Sequence, residues 1–167
     1  ESVGLGLSGA ALLIASVFVF TGLFTIQPNQ AAVLVLFGNY LGTEKRSGIR
    51  WANPFARKFK MSLRTRNLNG DKLKVNDKGG NPVEIAAIVV WKVHNTAQAM
   101  FYVENYEKFL TLQCEAATRH LATLYPYDGE DGAISLRGSM NEVSEALKKE
   151  LEERVSKAGI DIEEVRL

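Results

Sequence analysis

Two histidines, one cysteine and a few adjacent acid pairs are the residues of this 167-residue chain that could do chemistry. His94 ends an alternating apolar run, and His120 follows Arg119 in a helical pattern. Neither has a Cys or a second His at metal-ligand spacing, so both read as surface or half-buried histidines. Cys114 falls on an apolar stripe and reads as a buried, inert thiol. A single cysteine allows no internal disulfide. The acids of Glu152-Glu153 and Glu163-Glu164 are sequence neighbours, so their side chains diverge and read as solvated. The stretch NDKGGNP (Asn76 to Pro82) is glycine-rich, but it lacks the phosphate-loop spacing and leads into a strand. It reads as a hairpin turn. The expectation is no catalytic, cofactor-binding or metal-binding residue, and therefore no enzyme.

Charge is distributed unevenly along the chain. The formal net charge is +1. Glu44 to Lys78 holds eleven Lys/Arg against three acids, and Asp128 to Leu167 holds eleven acids against six Lys/Arg. Such asymmetry points to a membrane, nucleic-acid or subunit surface. Arg64, Arg66, Lys72 and Lys74 could contact phosphates. A basic patch beside an apolar span more usually meets anionic lipid, so no nucleic-acid partner is expected. Within the basic half, SGIRWANPFARKFKM interleaves Ile49, Trp51, Phe55 and Phe59 with Arg50, Arg57, Lys58 and Lys60. Trp, Phe, Arg and Lys together suit a membrane–water boundary, and these eight residues are the expected membrane interface. The competing reading puts Trp51 and Phe55 in the core of a small domain.

The elements that must position this surface begin with an uncharged N-terminus. Between Glu1 and Glu44 there is no Asp, Glu, Lys, Arg or His. LSGAALLIASVFVFTGLFTI, Leu7 to Ile26, is twenty residues long, or about 30 Å as a helix, the thickness of a bilayer's hydrocarbon core. It reads as a transmembrane anchor over residues 1–26. A cleaved signal and a hairpin dipping into one leaflet are the alternatives. Small residues from Gly4 to Ala15 would let helices approach closely.

After the turn Gln27-Pro28-Asn29-Gln30, Ala31 to Gly38 reads as a buried strand and NYLGTEKRSG as a loop. IRWANPFARKFKMSLRTRNL reads as a strand interrupted at Pro54. Lys72 to Asn76 pairs in a hairpin with a long strand, Val83 to Val93, whose middle is covered on both faces. Asn95 or Thr96 caps a short helix. A longer helix spans about Tyr106 to Leu124, with Leu110, Cys114, Ala117, Leu121 and Leu124 on its apolar stripe. PYDGEDGA is a loop. The next helix, Ser139 to Lys157, opens on a Ser139/Glu142 capping box and carries Met140, Val143, Leu147, Leu151 and Val155 inward. Glu145–Lys149, Glu150–Arg154 and Glu153–Lys157 are supportive pairs along it. Gly159 ends it, and IDIEEV is a last strand. Strands, then helices, then one strand define an α+β fold of mostly antiparallel strands with helices packed on one side. The expected lobes are residues 27–80, nearer the membrane, and 81–167.

The ordered set FTIQPNQAAVLVLFG, SGIRWANPF, VNDKGGNPVEIAAIVVWKVHN and GIDIEEVRL resembles the SPFH family, also called band 7 or PHB. Its members include stomatins, prohibitins, flotillins and the bacterial partners of a membrane AAA protease. The matching stretches are Pro28 to Gly38, Gly48 to Phe55 and Asn76 to Val93. Departures are Asn76 in place of the usual Thr and a turn carrying Gly79-Gly80. The resemblance covers about Ile26 to Leu167 and implies an SPFH domain behind a single-pass membrane anchor. It implies a scaffold rather than an enzyme. Its partners would be further copies or related subunits in a ring or cage, the lipid bilayer, and a membrane AAA protease or transporter. It also implies a coiled coil following the last strand.

A basic and an acidic half on one protomer would suit head-to-tail contact. Glu145, Glu152 and Glu153 on the acidic helix are the expected oligomer interface. Two other functions fit the same residues: an accessory subunit of one membrane enzyme or channel, and a secreted α+β binding domain.

Overall fold

The computed structural model describes residues 2–129 and 134–167, with side chains from Ser8 onward. Glu130 to Ala133 of the expected PYDGEDGA loop lie outside the described residues, and the packing of the small-residue half is described only from Ser8 onward. The chain divides into two compact units, residues 1–62 and 63–167. The expected boundary at 80/81 falls inside the second. Residues 66–69 pair there with a later strand, which ties them to the second unit.

The first unit opens with helix α1, Ser2–Thr21. The expected span does not run on to Ile26. Gly22 ends the helix, and Leu23–Ile26 (β1) pairs antiparallel with Gly48–Trp51 (β4). Hydropathy alone cannot separate these outcomes, because an apolar stretch suits either element. Among the described residues, no helix is long and apolar enough to cross a membrane. Strand β2, Gln30–Leu36, carries the buried Ala31, Ala32 and Val33. It lies between Asn39–Glu44 (β3) and Arg57–Ser62 (β5). The NYLGTE segment is therefore a strand, not a loop: a two-residue turn folds it back onto β2.

The second unit places Ile88–Val93 (β9) between Arg66–Asn69 (β6) and Ile160–Arg166 (β10). Leu73–Asn76 (β7) and Pro82–Ile85 (β8) form a separate hairpin. The expected strand Val83 to Val93 is thus two. At Ala87 the chain leaves β7 for β6, and the Gly70 N–H donates to the Ala87 carbonyl at 2.8 Å. One face of the strand is buried as expected at Ala87, Val89, Trp91 and Val93, while Ile88 on the other face is exposed rather than covered. Every strand pairing described is antiparallel.

Helices α2 (Thr96–Phe101), α3 (Tyr106–Leu124) and α4 (Met140–Val155) complete this unit. Asn95 caps α2 and Asn105 caps α3 through their side-chain oxygens. Leu110, Cys114, Ala117 and Leu121 of α3 join Val143, Leu147, Leu151 and Val155 of α4 in the core, against Ile160, Ile162 and Val165 of β10. The outer ends of both stripes, Leu124 and Met140, are exposed. Ser139 makes no side-chain cap hydrogen bond, because its ψ of 45° is not the extended conformation a capping box uses. Of the three expected pairs on α4, the ion pair described is Glu150–Arg154, at 2.7 Å.

Asp77 is the buried acid of the β7–β8 turn. Its carboxylate accepts from the backbone N–H groups of Asn81 at 2.7 Å and Tyr127 at 2.9 Å. The turn is thereby pinned to the segment after α3. The Tyr127 N–H, followed by the Asn81 donors, holds this carboxyl below its ordinary value, and burial opposes them only in part. A depressed folded-state pKa contributes stability above the unfolded carboxyl value, and that contribution is lost as pH falls through the folded one. Asp77→Asn should therefore lower the unfolding midpoint at pH 7 and shrink the difference between pH 7 and pH 3, measured by thermal melts at both values. An unchanged acid dependence would show that other carboxylates set it.

Candidate membrane interface

The expected interface residues all fall in the first unit, on β4, on β5 and on the turn between them. Asn53, Pro54, Phe55 and Ala56 make that turn, closed by the Ala56 N–H donating to Asn53 O at 2.9 Å. Asn53 Oδ1 accepts from the Phe55 N–H at 3.0 Å. Pro54 sits where a β-turn favours a fixed φ. The turn breaks the odd-number alternation, so the four apolar residues do not share one face.

Ile49, Trp51 and Phe55 are exposed, not core plugs; Trp51 keeps 52% of its surface. Phe59 is the least exposed of the four and lies opposite the buried Val33, on the same face of the ladder. Trp51 is aimed by its polar atom: the indole Nε1–H donates to the Val19 carbonyl at 3.0 Å, one of the orphan carbonyls at the end of α1. Gly22 makes room for this. A Cβ there would lie 2.3 Å from Trp51 Nε1 and 2.6 Å from the Ala52 carbonyl. Phe18 of α1 lies 6.5 Å from the Trp51 ring and 6.2 Å from Phe55, and Phe37 lies 6.4 Å from Phe55. The result is an exposed aromatic ridge, Phe37–Phe55–Phe18–Trp51, continuous with a helix whose described side chains are exposed all round.

The cations divide. Lys58 sits over the Phe24 ring at 5.5 Å, a cation–π arrangement. Arg57 and Lys60 are exposed on β5. Arg50 is half-buried, with a buried Nε that has no hydrogen-bond partner among the described residues. Sequence reasoning missed Phe18, Gly22 and Phe37. Phe18 was legible only as part of a span, and Gly22 only once Trp51 is docked.

The acidic candidates belong to the second unit. Glu145, Glu152 and Glu153 are exposed on α4, with Lys148 3.9 Å from Glu152. The carboxylate that joins the helices is Glu150, held by His120 of α3 at 3.0 Å and by Arg154. His94 lies 3.5 Å from Asp161. Glu163 is held below its usual range by hydrogen bonds from Lys92, then Thr65, and Lys92 is raised by the same pair. Cys114 is buried, and burial pushes its thiol up, away from nucleophilic character. No group of His, Cys, Asp and Glu that could hold a metal occurs among the described residues.

The described residues thus form antiparallel sheets and helices, with an exposed apolar and cationic edge on the first unit. The model of the SPFH domain / Band 7 family matches residues 24–167, and the chain belongs to that family. Its members are generally non-enzymatic scaffolds that associate with membranes and oligomerise. No curated protein matches the chain.

Proposed function

We propose that the chain is a membrane-attached scaffold that assembles with copies of itself or with related subunits. The assembly, a ring or cage, organises a patch of bilayer and acts on membrane proteins held there, a membrane AAA protease or transporter among the candidate clients. The observation that carries this reading is the exposed apolar surface running from α1 onto Trp51, Phe55 and Phe37. A helix apolar on every side belongs in a non-aqueous environment, and a large contiguous apolar patch marks an interaction surface. In a single-pass arrangement the twenty residues of α1 would extend about 30 Å, a bilayer core's thickness. Trp51, Phe55, Arg57, Lys58 and Lys60 would then sit at the headgroup level.

Membrane attachment is tested by floating the purified chain with phosphatidylcholine/phosphatidylglycerol vesicles. Co-flotation that survives a carbonate wash is expected, and a monodisperse chain remaining at the bottom of the gradient would refute it. Assembly is tested by native mass and negative-stain images in mild detergent. A closed multi-subunit particle is expected; a uniform monomer would favour an accessory subunit. Reversing Glu145, Glu152 and Glu153 to Lys should shift that particle toward smaller species. An unchanged particle would remove these acids from the subunit contact.

A further inference from the structure

The β2–β3 turn consists of Phe37 and Gly38, between the paired residues Leu36 and Asn39. Both turn residues have positive φ, 49° and 88°. Two central residues with positive φ characterise the tight hairpin turn that normally selects Asn-Gly. Gly38 suits its place. Phe37 does not, because a bulky side chain at positive φ crowds its own backbone. The phenyl ring gains little burial in exchange. It is 83% exposed, more than any other large apolar side chain described, and the ring contact described for it is with the exposed Phe55, stacked at 26°. In water the residue is thus unfavourable twice, once for its backbone and once for its surface.

We infer that Phe37 is a wedge that enters the bilayer's hydrocarbon, making the β2–β3 turn a second point of membrane insertion beside α1. The inference rests on reading α1 as the membrane anchor. Insertion removes the surface cost and gives a reason for Phe where Asn would fold better. Two observations favour lipid as the occupant. The ring is joined through Phe55 and Phe18 to the uncharged helix α1, whose described side chains are exposed all round. Cations flank the ridge, with Arg57 exposed opposite Val35 and Lys58 over Phe24, as a headgroup boundary prefers. Tyr40 and Leu41, both exposed on β3, extend the same apolar margin.

The test uses the full chain in phosphatidylcholine/phosphatidylglycerol vesicles. A nitroxide is attached at Phe37→Cys and, separately, at Phe20→Cys in α1. Cys114 is buried and stays in place, and mock labelling of the parent chain checks that it does not react. Collision with oxygen against a water-soluble nickel chelate reports depth. Both labels are expected below the phosphate level, with oxygen collisions exceeding nickel collisions. A deep label at position 20 with an aqueous label at position 37 overturns the wedge and leaves the anchor standing. Aqueous labels at both positions overturn the anchor and the wedge together. Phe37→Asn supplies a second measurement that no label can disturb. It should raise the thermal midpoint in mild detergent by a few degrees, because Asn fits the turn. A lowered midpoint would mean that the phenyl serves the fold, and it would overturn the argument from misfit.

Discussion

Ile14→Asp combined with Val17→Asp is expected to move the chain from the membrane pellet to the soluble fraction with its fold intact. Ile14 is 71% and Val17 61% exposed, so neither carries the packing of the first unit. In a bilayer Ile14 lies near the middle of α1, where Asp is least tolerated, and Val17 lies three residues nearer its end. Replacing an aliphatic residue by Asp at a helix centre costs roughly 3–4 kcal/mol of insertion and less toward the end, so the pair costs about 5–6 kcal/mol. That is about four orders of magnitude in partition. The penalty in water is far smaller: about 0.5 kcal/mol of helix propensity for each Asp and a few tenths from like charges three apart. Fractionation after a carbonate wash, together with near-ultraviolet dichroism of the soluble chain, separates the outcomes. A variant that remains in the washed pellet would move the anchor away from α1. One that loses its near-ultraviolet signal would make α1 a packing element of the first unit. Ile14→Val with Val17→Ile keeps the apolar surface and should change neither readout.

The docking of Trp51 explains why the apolar N-terminal run was easier to read from the sequence than the elements that divide it. The apolar run Leu7 to Ile26 is real, but its last four residues are a strand. Leu, Phe, Thr and Ile satisfy a strand as well as a helix, and β4 supplies the partner that decides. Trp51 then closes the junction from thirty-two residues away by donating to Val19. No local pattern encodes that contact. The β3 strand was hidden for a different reason: Phe37 occupies the place of the Asn that usually announces such a turn. Where local chemistry and tertiary context agree, the reading held. The stripe of Leu110, Cys114, Ala117 and Leu121 marked α3, and the alternation of Val89, Trp91 and Val93 marked the buried face of β9. The charge-rich candidates stayed least legible, since exposed acids such as Glu145 and Glu153 look alike whether solvated or awaiting a partner. Glu150, the acid that links α3 to α4, was legible only as a helix pair with Arg154; nothing in its spacing announced His120.

Gly159→Ala should be among the most damaging single changes in the second unit. Gly159 follows a 3₁₀ turn, Ser156–Ala158, in the left-handed conformation with φ 67°. It ends the helical segment and lets the chain enter β10. An alanine there carries the steric cost of left-handed backbone, roughly 1–2 kcal/mol. It also meets a wall. Its Cβ would lie 2.3 Å from the Asn95 carbonyl oxygen and 3.0 Å from Gln98 Cβ. The obstruction is largely backbone, fixed because Gly159 O accepts from the N–H groups of His94 and Asn95 at 2.8 and 3.1 Å. Asn95 in turn caps α2. Overpacking of this kind adds about 1–3 kcal/mol, for a total near 3 kcal/mol. Against an overall stability of about 5–15 kcal/mol, that is a large share. Urea unfolding in mild detergent should show the midpoint falling by about 1–2 M with little change in slope. Gly80→Ala isolates the two contributions, since Gly80 has φ 85° but nothing within 4 Å of an added Cβ. It should lose only the backbone term, roughly 1–2 kcal/mol. Equal losses at the two glycines would mean that the Asn95 carbonyl can move aside and that the β9–α2 junction is softer than its hydrogen bonds imply.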